Sequence, residues 1–394
     1  MLISAREAAR RLGVKPATLY AYVSRGLLQS APVRGSRERR YRADDVERLR
    51  RLHRSGQPRA VPPQPFDAHS PVLDSAICLV EDGRLYYRGV DAVGLAGHAG
   101  LEEVARLLWD VADDPFIARR RQVGGSWFRP AAASAAPIEG AQAMLLRLAA
   151  ADVGAADVSG GSLPGTGVSV LRALAAAVTG ERPNGAPIHR QLAAAWGLGS
   201  AEADLVRRCL VLVADHELNA STYVARCIAS TRATPYAVVI GALAALSGPL
   251  HGGATSRAEA LLAELSQAGD IAGALGERLR RGERLQAFGH PLYPDGDPRA
   301  AAILGALLTA APAARSAFVA ETAAAAEHLL GRKPNVDFAL AAVSVTLRLP
   351  RGAAIGMFFI GRAVGWIAHA MEQYAAGQLI RPRARYVGVL PGSE

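Results

Sequence analysis

Between residues 55 and 70 the chain reads SGQPRAVPPQPFDAHS, four prolines in sixteen residues with no apolar period. Proline fixes φ and removes a backbone donor, so neither a helix nor a sheet interior propagates through such a stretch. The chain must therefore fold as two bodies joined by a linker at 55–70. Charge makes the same cut. Residues 1–60 carry fifteen basic side chains (fourteen Arg and Lys15) against five acidic ones, Glu7, Glu38, Asp44, Asp45 and Glu47. The formal net charge of +10 for all 394 residues is thus held by this segment, and the remainder balances at 30 basic and 30 acidic groups. A small basic module is attached to a large neutral body, and the two face different partners.

Several classes are excluded at once. Half of the residues are hydrophobic and only 20% are charged, which a mostly disordered chain cannot be. Cys78, Cys209 and Cys227 form no CxxC pair and are odd in number, as expected of buried thiols in a reducing cytoplasm. The start, MLISAREAARR, has no apolar core of a secretory signal, so a cytoplasmic location is expected. The longest uncharged run, 233–256, is broken by Ser247, Gly248, Pro249, His251, Gly252 and Gly253. It reads as a buried helix running into a functional loop, since a membrane span needs about 20 continuous apolar residues. No membrane association is expected.

In the module, Ser4 is placed to cap a helix over Ala5–Leu12, and Gly13 supplies a turn. Pro16 opens a second helix to Ser24 that buries Leu19 and Val23 on one face. Val33–Arg42, with Gly35 among arginines, fits a two-stranded wing, and Asp44 and Asp45 begin a last helix through Arg54. The pattern Ala9, Gly13, Leu19, Val23 followed by YRADDVERLRR resembles a winged helix-turn-helix of the mercury-resistance-regulator (MerR) type over residues 1–54. That resemblance implies a partner in DNA, with the second helix in the major groove and the basic wing on phosphates. A packing or docking domain with solvated arginines is the alternative reading.

The body is Ala/Leu-rich, with helical spacing punctuated by Gly and Pro. Only residues 77–80 (ICLV) and 84–89 (RLYYRG) look strand-like, and Gly154–Ser169, Gly/Ser-rich and weakly patterned, reads as a loop. An all-α body follows.

Within it, a few polar residues stand in unusual surroundings. His216 lies in Asp-His-Glu-Leu-Asn-Ala-Ser, His251 in Gly-Pro-Leu-His-Gly-Gly-Ala, and His290 in Phe-Gly-His, nine residues before Arg299. Asp337, in Pro-Asn-Val-Asp, precedes an apolar helix. Arg362 sits in the apolar run Met357–Trp366, where a charge is costly unless it meets an anion. Each alone has a plain explanation as a core histidine, a helix cap or an internal ion pair. Metal ligation is the other option for three His and an Asp, but no two are spaced i, i+4 and all lie 35 or more residues apart, so no metal is expected.

In this order the runs DHELNAST, SGPLHGGA, FGH…DPR, PNVDF, FFIGRAVGWIAHAMEQ and RPR resemble citrate synthase, over about residues 70–390. The resemblance implies an all-α large domain (71–252 and 349–394) around a small α domain (253–348), preceded by the winged helix. It implies condensation of acetyl-CoA, as co-substrate, with oxaloacetate to give citrate, with no permanently bound cofactor. Asp337 then matches the base, His251 the donor to the thioester carbonyl, and His290 the residue that polarises the ketone. His216, Arg299 and Arg362 match carboxylate holders, and Arg381 matches an arginine contributed by the other subunit of a homodimer with shared sites. Gly289, Arg332, Lys333 and Asn335 are the candidates for contact with coenzyme A.

Two departures matter. Many members read Gly-His-Arg-Val-Tyr-Lys at the third motif, whereas this chain has Gly289-His290-Pro-Leu-Tyr-Pro-Asp-Gly, without a basic side chain before Arg299. Where some members follow the base with Phe-Tyr-Ser-Gly, this chain has Phe338-Ala-Leu-Ala. Propionyl-CoA, giving 2-methylcitrate, is therefore an alternative substrate, since one methylene is worth only about 1–3 kcal/mol of discrimination. A DNA-binding regulator with an enzyme-like sensor body is the reading from another class.

Overall fold

The computed structural model describes residues 2–12, 14, 19, 23, 30–32, 39–43 and 46 of the module, and 73–117, 127–128, 136–311, 313–384, 386–388 and 391 of the body. The chain divides into two compact units, Met1–Ser70 and Pro71–Glu394. In the first, β1 (Leu2–Ser4) leads into α1 (Ala5–Leu12), and β2 (Ser30–Pro32) and β3 (Arg39–Arg42) complete an antiparallel sheet in the order β1-β3-β2. Ile3 pairs with Tyr41, and Ser30 pairs with the other edge of Tyr41. The expected cap is present, Ser4 Oγ accepting from Glu7 N at 3.2 Å. Leu19 is buried with Ile3, Ala8, Ala9, Leu12, Tyr41 and Val46, and Val23 packs on their edge. The wing thus gains a third strand from the N-terminus, while its tip at 33–38 and most of the second and third helices lie outside the described residues.

The second unit opens with a small meander: β4 (Cys78–Glu81) and β5 (Arg84–Tyr87), where strands were expected, and β6 (Val90–Asp91), which was not. Helices follow: α2 (Ala92–Ala96), α3 (Leu101–Trp109), α4 (Pro137–Ala151), α5 (Leu163–Thr179), α6 (Ile188–Ala195), α7 (Ser200–Leu212), α8 (Ala220–Ser230) and α9 (Pro235–Leu246). Then come α10 (Gly253–Leu265), α11 (Ile271–Arg280), α12 (Pro298–Ala310), α13 (Ala313–Leu330), α14 (Val336–Thr346) and α15 (Ala353–Ala376).

The segment read as a loop, Gly154–Ser169, is instead mostly helical: a 3-10 turn at Val153–Ala156 and the first two turns of α5. Pro164 sits in the first turn, where its missing N–H costs nothing. The hydroxyls of Thr166 and Ser169 bond back to Ser162 O and Gly165 O at 3.3 and 3.1 Å, so polar residues are accommodated inside the helix.

α15 is the axis of the body. It packs against α3, α5, α7, α8, α9, α10 and α14. A helix that is apolar all round belongs in an interior. Among the described residues this one is long and apolar enough to cross a membrane, and 94% of its apolar window is buried in the body.

Candidate active site

α7 ends at Leu212, and the next three residues run along the backbone of α15. Two glycines make this approach possible. A Cβ on Gly361 would lie 2.5 Å from Leu210 O, and one on Gly365 would lie 2.2 Å from Asp215 Oδ1 and 2.5 Å from Ala214 O. In that gap Gly365 N donates to Ala214 O at 3.0 Å and Arg362 Nε donates to Val213 O at 2.8 Å. Arg362 is 2% exposed, and its guanidinium lies over the Phe358 ring at 4.9 Å.

His216 follows, buried, with Nε2 2.9 Å from Tyr293 Oη and its ring edge-on to that of His290 at 5.0 Å. The Arg299 guanidinium sits over Tyr293 at 5.5 Å and donates two bonds to Asp297, at 2.9 and 2.8 Å. Burial works against both charges of this pair, yet Arg299 holds the Asp297 carboxyl below its usual range and Asp297 holds Arg299 above its own. Burial, aided by Arg299, keeps His216 far below its ordinary value. The same causes bring His290 down to about 4. His290 Nδ1 accepts from Leu292 N at 3.2 Å. The neutral ring therefore carries its proton on Nε2, a fixed donor.

His251 lies in the loop before α10. Burial, then the Arg362 charge, lowers it to about 4. Its Nε2 is 2.8 Å from Ser221 Oγ, which also receives Trp366 Nε1–H at 3.2 Å. The one Ser221 proton has two acceptors in reach, His251 Nε2 and Asn219 Oδ1 at 2.8 Å. When it goes to His251, the imidazole carries its own proton on Nδ1.

Asp337 is not the cap of its helix: Asn335 is, accepting from Asp337 N and Phe338 N at 3.0 and 3.3 Å. Asp337 sits in the first turn of α14, keeping partial exposure while packed protein surrounds its carboxyl. Burial raises its proton affinity, against a hydrogen bond donated by the Thr255 hydroxyl and the fields of Arg299 and Arg362. Asn335 also donates to Gln286 O at 2.9 Å and Gly289 O at 3.2 Å, so it clamps the loop of His290 to the helix of Asp337. Gly289 adopts φ +78°, where a Cβ would also press on Arg332.

The structure thus brings His216, His290 and Arg299 together around Tyr293, and His251 and Arg362 together around Phe358. Arg332 and Lys333 are exposed and lay their stems on Gly289 and Gly296. Arg381 is exposed after α15, with no hydrogen bond or ion pair to a described residue. A cavity of about 750 Å³ lined by His98, Glu102, His189 and Arg207 lies apart from this cluster.

The family model "Citrate synthase, C-terminal domain" matches residues 126–383. The chain belongs to the citrate synthase family. A second model, "MerR HTH family regulatory protein", matches residues 3–55. Among relatives, the citrate synthase of Haloferax volcanii is 41% identical over 192 residues, covering 47% of this chain and 50% of that protein. The 2-methylcitrate synthase 1 of Corynebacterium glutamicum is 35% identical over 186 residues, covering 46% and 49%. The chain spans about half the length of the relatives it matches. Over the fold the likeness is longer: citrate synthase from Thermotoga maritima MSB8 superposes with a TM-score of 0.65 at 25% identity, over 82% of this chain and 95% of that one. Citrate synthase from Thermoplasma acidophilum, solved with carboxymethyl coenzyme A and oxaloacetate, gives 0.66 at 22% identity over the same shares.

Sequence reasoning missed the residues that hold this family's motifs in place. Tyr293, Asp297, Ser221 and Thr255 lie within five residues of a singled-out His or Arg, yet only the fold shows which side chain each meets.

Proposed function

We propose that the chain condenses oxaloacetate with acetyl-CoA and water to give citrate and CoA. The observation that carries this reading is a carboxyl of raised proton affinity, Asp337, in one site with two neutral imidazoles, His251 and His290. A weakly acidic thioester methyl group needs a base, a donor at its carbonyl and a donor at the accepting ketone. Asp337 takes the methyl proton. His251, with Ser221 donating to Nε2, offers Nδ1–H to the thioester oxygen and stabilises the enol. The enol carbon attacks the ketone, and His290 Nε2–H protonates the new alkoxide, giving citryl-CoA. Water then adds to the thioester carbonyl and the C–S bond breaks, releasing citrate and CoA.

Oxaloacetate is a dianion, and His216, Arg299 and Arg362 hold its carboxylates. Arg381 of a second copy completes the site in a homodimer. Arg332 and Lys333, exposed beside Gly289, meet the CoA phosphates, while Asn335 orders that edge. Residues 253–348 act as the small domain that closes over 71–252 and 349–394, since His290 and Asp337 both belong to it and closure excludes water. The ligands held by the Thermoplasma acidophilum neighbour support the choice of oxaloacetate and a CoA thioester as substrates.

Propionyl-CoA is the second reading, favoured by relatives that are 2-methylcitrate synthases. Thiol release with oxaloacetate and either acyl-CoA tests both. Wild type should exceed Asp337→Ala by about 10²–10⁴-fold. Turnover no higher than that variant's rules out the enzyme reading, and the ratio of kcat/KM for the two thioesters selects the substrate.

Residues 1–54 bind duplex DNA through the basic helix-turn-helix, as the net +10 of residues 1–60 and the MerR match support. Binding by the full chain should weaken steeply with salt, because phosphate contacts release counterions. Affinity that is insensitive to salt, or equal in a chain with the module's arginines reversed in charge, refutes it.

A further inference from the structure

The two buried guanidiniums of the site are balanced differently. Arg299 has Asp297 in bidentate contact. Arg362 is equally buried, but among the described residues it has no carboxylate in contact, and its one hydrogen bond runs from Nε to Val213 O. Two residues beyond Val213 stands Asp215, fully buried, whose carboxylate pairs with no arginine among the described residues. Its Oδ2 is 3.3 Å from Nε2 of the equally buried His369. Its Oδ1 receives no N–H or O–H donor and faces Gly365, where a Cβ would lie at 2.2 Å. Tyr87 Oη meets the backbone of Asp215 and not its carboxylate.

The Cys78 thiol also hydrogen-bonds this carboxylate. A buried carboxylate met by one imidazole and one weak thiol donor is poorly explained as a hydrogen-bonding group and well explained as a charge. It lies under the same turn of α15 that carries Arg362, behind the face that meets Phe358 and His251. We propose that Asp215, oriented by His369, is the counter-charge of Arg362: a positioning residue that balances the guanidinium from behind and sets how tightly the site takes an anion. A direct pair, like the one Arg299 makes through Nε and one Nη, would take at least one Nη group, whereas an acid set back from contact leaves both Nη groups for a ligand. Among the charges around it, Asp215 acts on Arg362 most strongly after burial itself. This inference rests on the reading that Arg362 receives a substrate carboxylate.

The test compares full-length wild type and Asp215→Asn by calorimetric titration with oxaloacetate and by steady-state kinetics. Removing the opposing charge while keeping the shape should tighten oxaloacetate binding about tenfold, the scale of one charge about 12 Å from the bound anion at an effective dielectric of about 20. KM should fall without a matching gain in kcat, a split that general damage does not produce. Affinity unchanged or weaker in a folded Asp215→Asn overturns the proposal. If wild type itself binds no oxaloacetate, the substrate reading fails, and a substrate-free cycle still decides the counter-charge. In urea unfolding, Asp215→Asn and Arg362→Met should each cost more than the double variant adds, since the double leaves neither charge unpaired. Additive losses overturn it, as does a double variant that is no more stable than an Asp215→Asn too unstable to isolate.

Discussion

Thr255→Val isolates what one hydroxyl does for Asp337, the proposed base. Thr255 is fully buried, and its hydroxyl donates to Asp337 Oδ1. Valine keeps the branched shape and removes only the donor. A hydrogen bond to an ionised group is worth about 1.5–3 kcal/mol, and about 1.4 kcal/mol is tenfold in a protonation equilibrium. The bond lowers the proton affinity of Asp337 against the burial that raises it, so its loss leaves burial opposed only by the fields of Arg299 and Arg362. In a pH profile of kcat, the acid limb should move to higher pH. Below it, turnover should fall by about tenfold or more, while the alkaline plateau recovers. Stability follows the same sign. A carboxyl raised above its ordinary value stabilises the fold when protonated, and that contribution is lost as pH rises through its folded value. The gap in urea midpoint between Thr255→Val and wild type should therefore widen with rising pH. A kcat lowered equally at every pH, with the limb unmoved, would mean that Thr255 only fills space.

Gly365→Ala should lower the melting temperature by several degrees, because its Cβ would meet Asp215 Oδ1 at 2.2 Å and Ala214 O at 2.5 Å and overpacking costs about 1–3 kcal/mol. Gly305→Ala in α12, with nothing within 4 Å, should stabilise by about 0.5–1 kcal/mol, and calorimetry on both separates crowding from helix propensity. His251 and His290 are depressed to about 4, so the stability they confer is full above the ordinary imidazole range and is lost as pH falls toward 4. His290→Gln should flatten urea midpoints over that interval, and an unchanged slope would show the ring is protonated in the fold. Asn335→Ala removes a cap worth about 1–2 kcal/mol and the clamp to Gly289, so kcat and KM for acyl-CoA should both worsen; a loss of stability alone would leave the clamp without a role.

The elements were legible where one residue type carries one meaning. Ser4 and the apolar face of Ala5–Leu12 give α1 its bounds, and the alternating RLYY gives β5. Gly154–Ser169 misled because glycine and serine signal loops only when their hydroxyls and backbones face water, and in α5 they face the helix itself. The site's charges were visible singly, as an Arg in an apolar run or a His among glycines. What sequence spacing cannot supply is which partner each charge meets. Asp297 and Asp215 are both acids two and one residues from a singled-out side chain; one grips its arginine directly and the other stands behind. That distinction depends on the close approach at Gly361 and Gly365, which only packing sets.

Asp297 holds Arg299 with both oxygens and, through Oδ2, also accepts Val336 N at 3.0 Å, one residue before Asp337. On the proposed reading, the anchor for the keto acid and the start of the helix bearing the base are thus fastened to a single carboxylate. A variant that re-sites Arg299 for a different keto acid drags the proton acceptor with it, whereas a longer acyl chain leaves the knot untouched. If that reading holds, acyl preference can change without moving this knot, and keto-acid preference cannot.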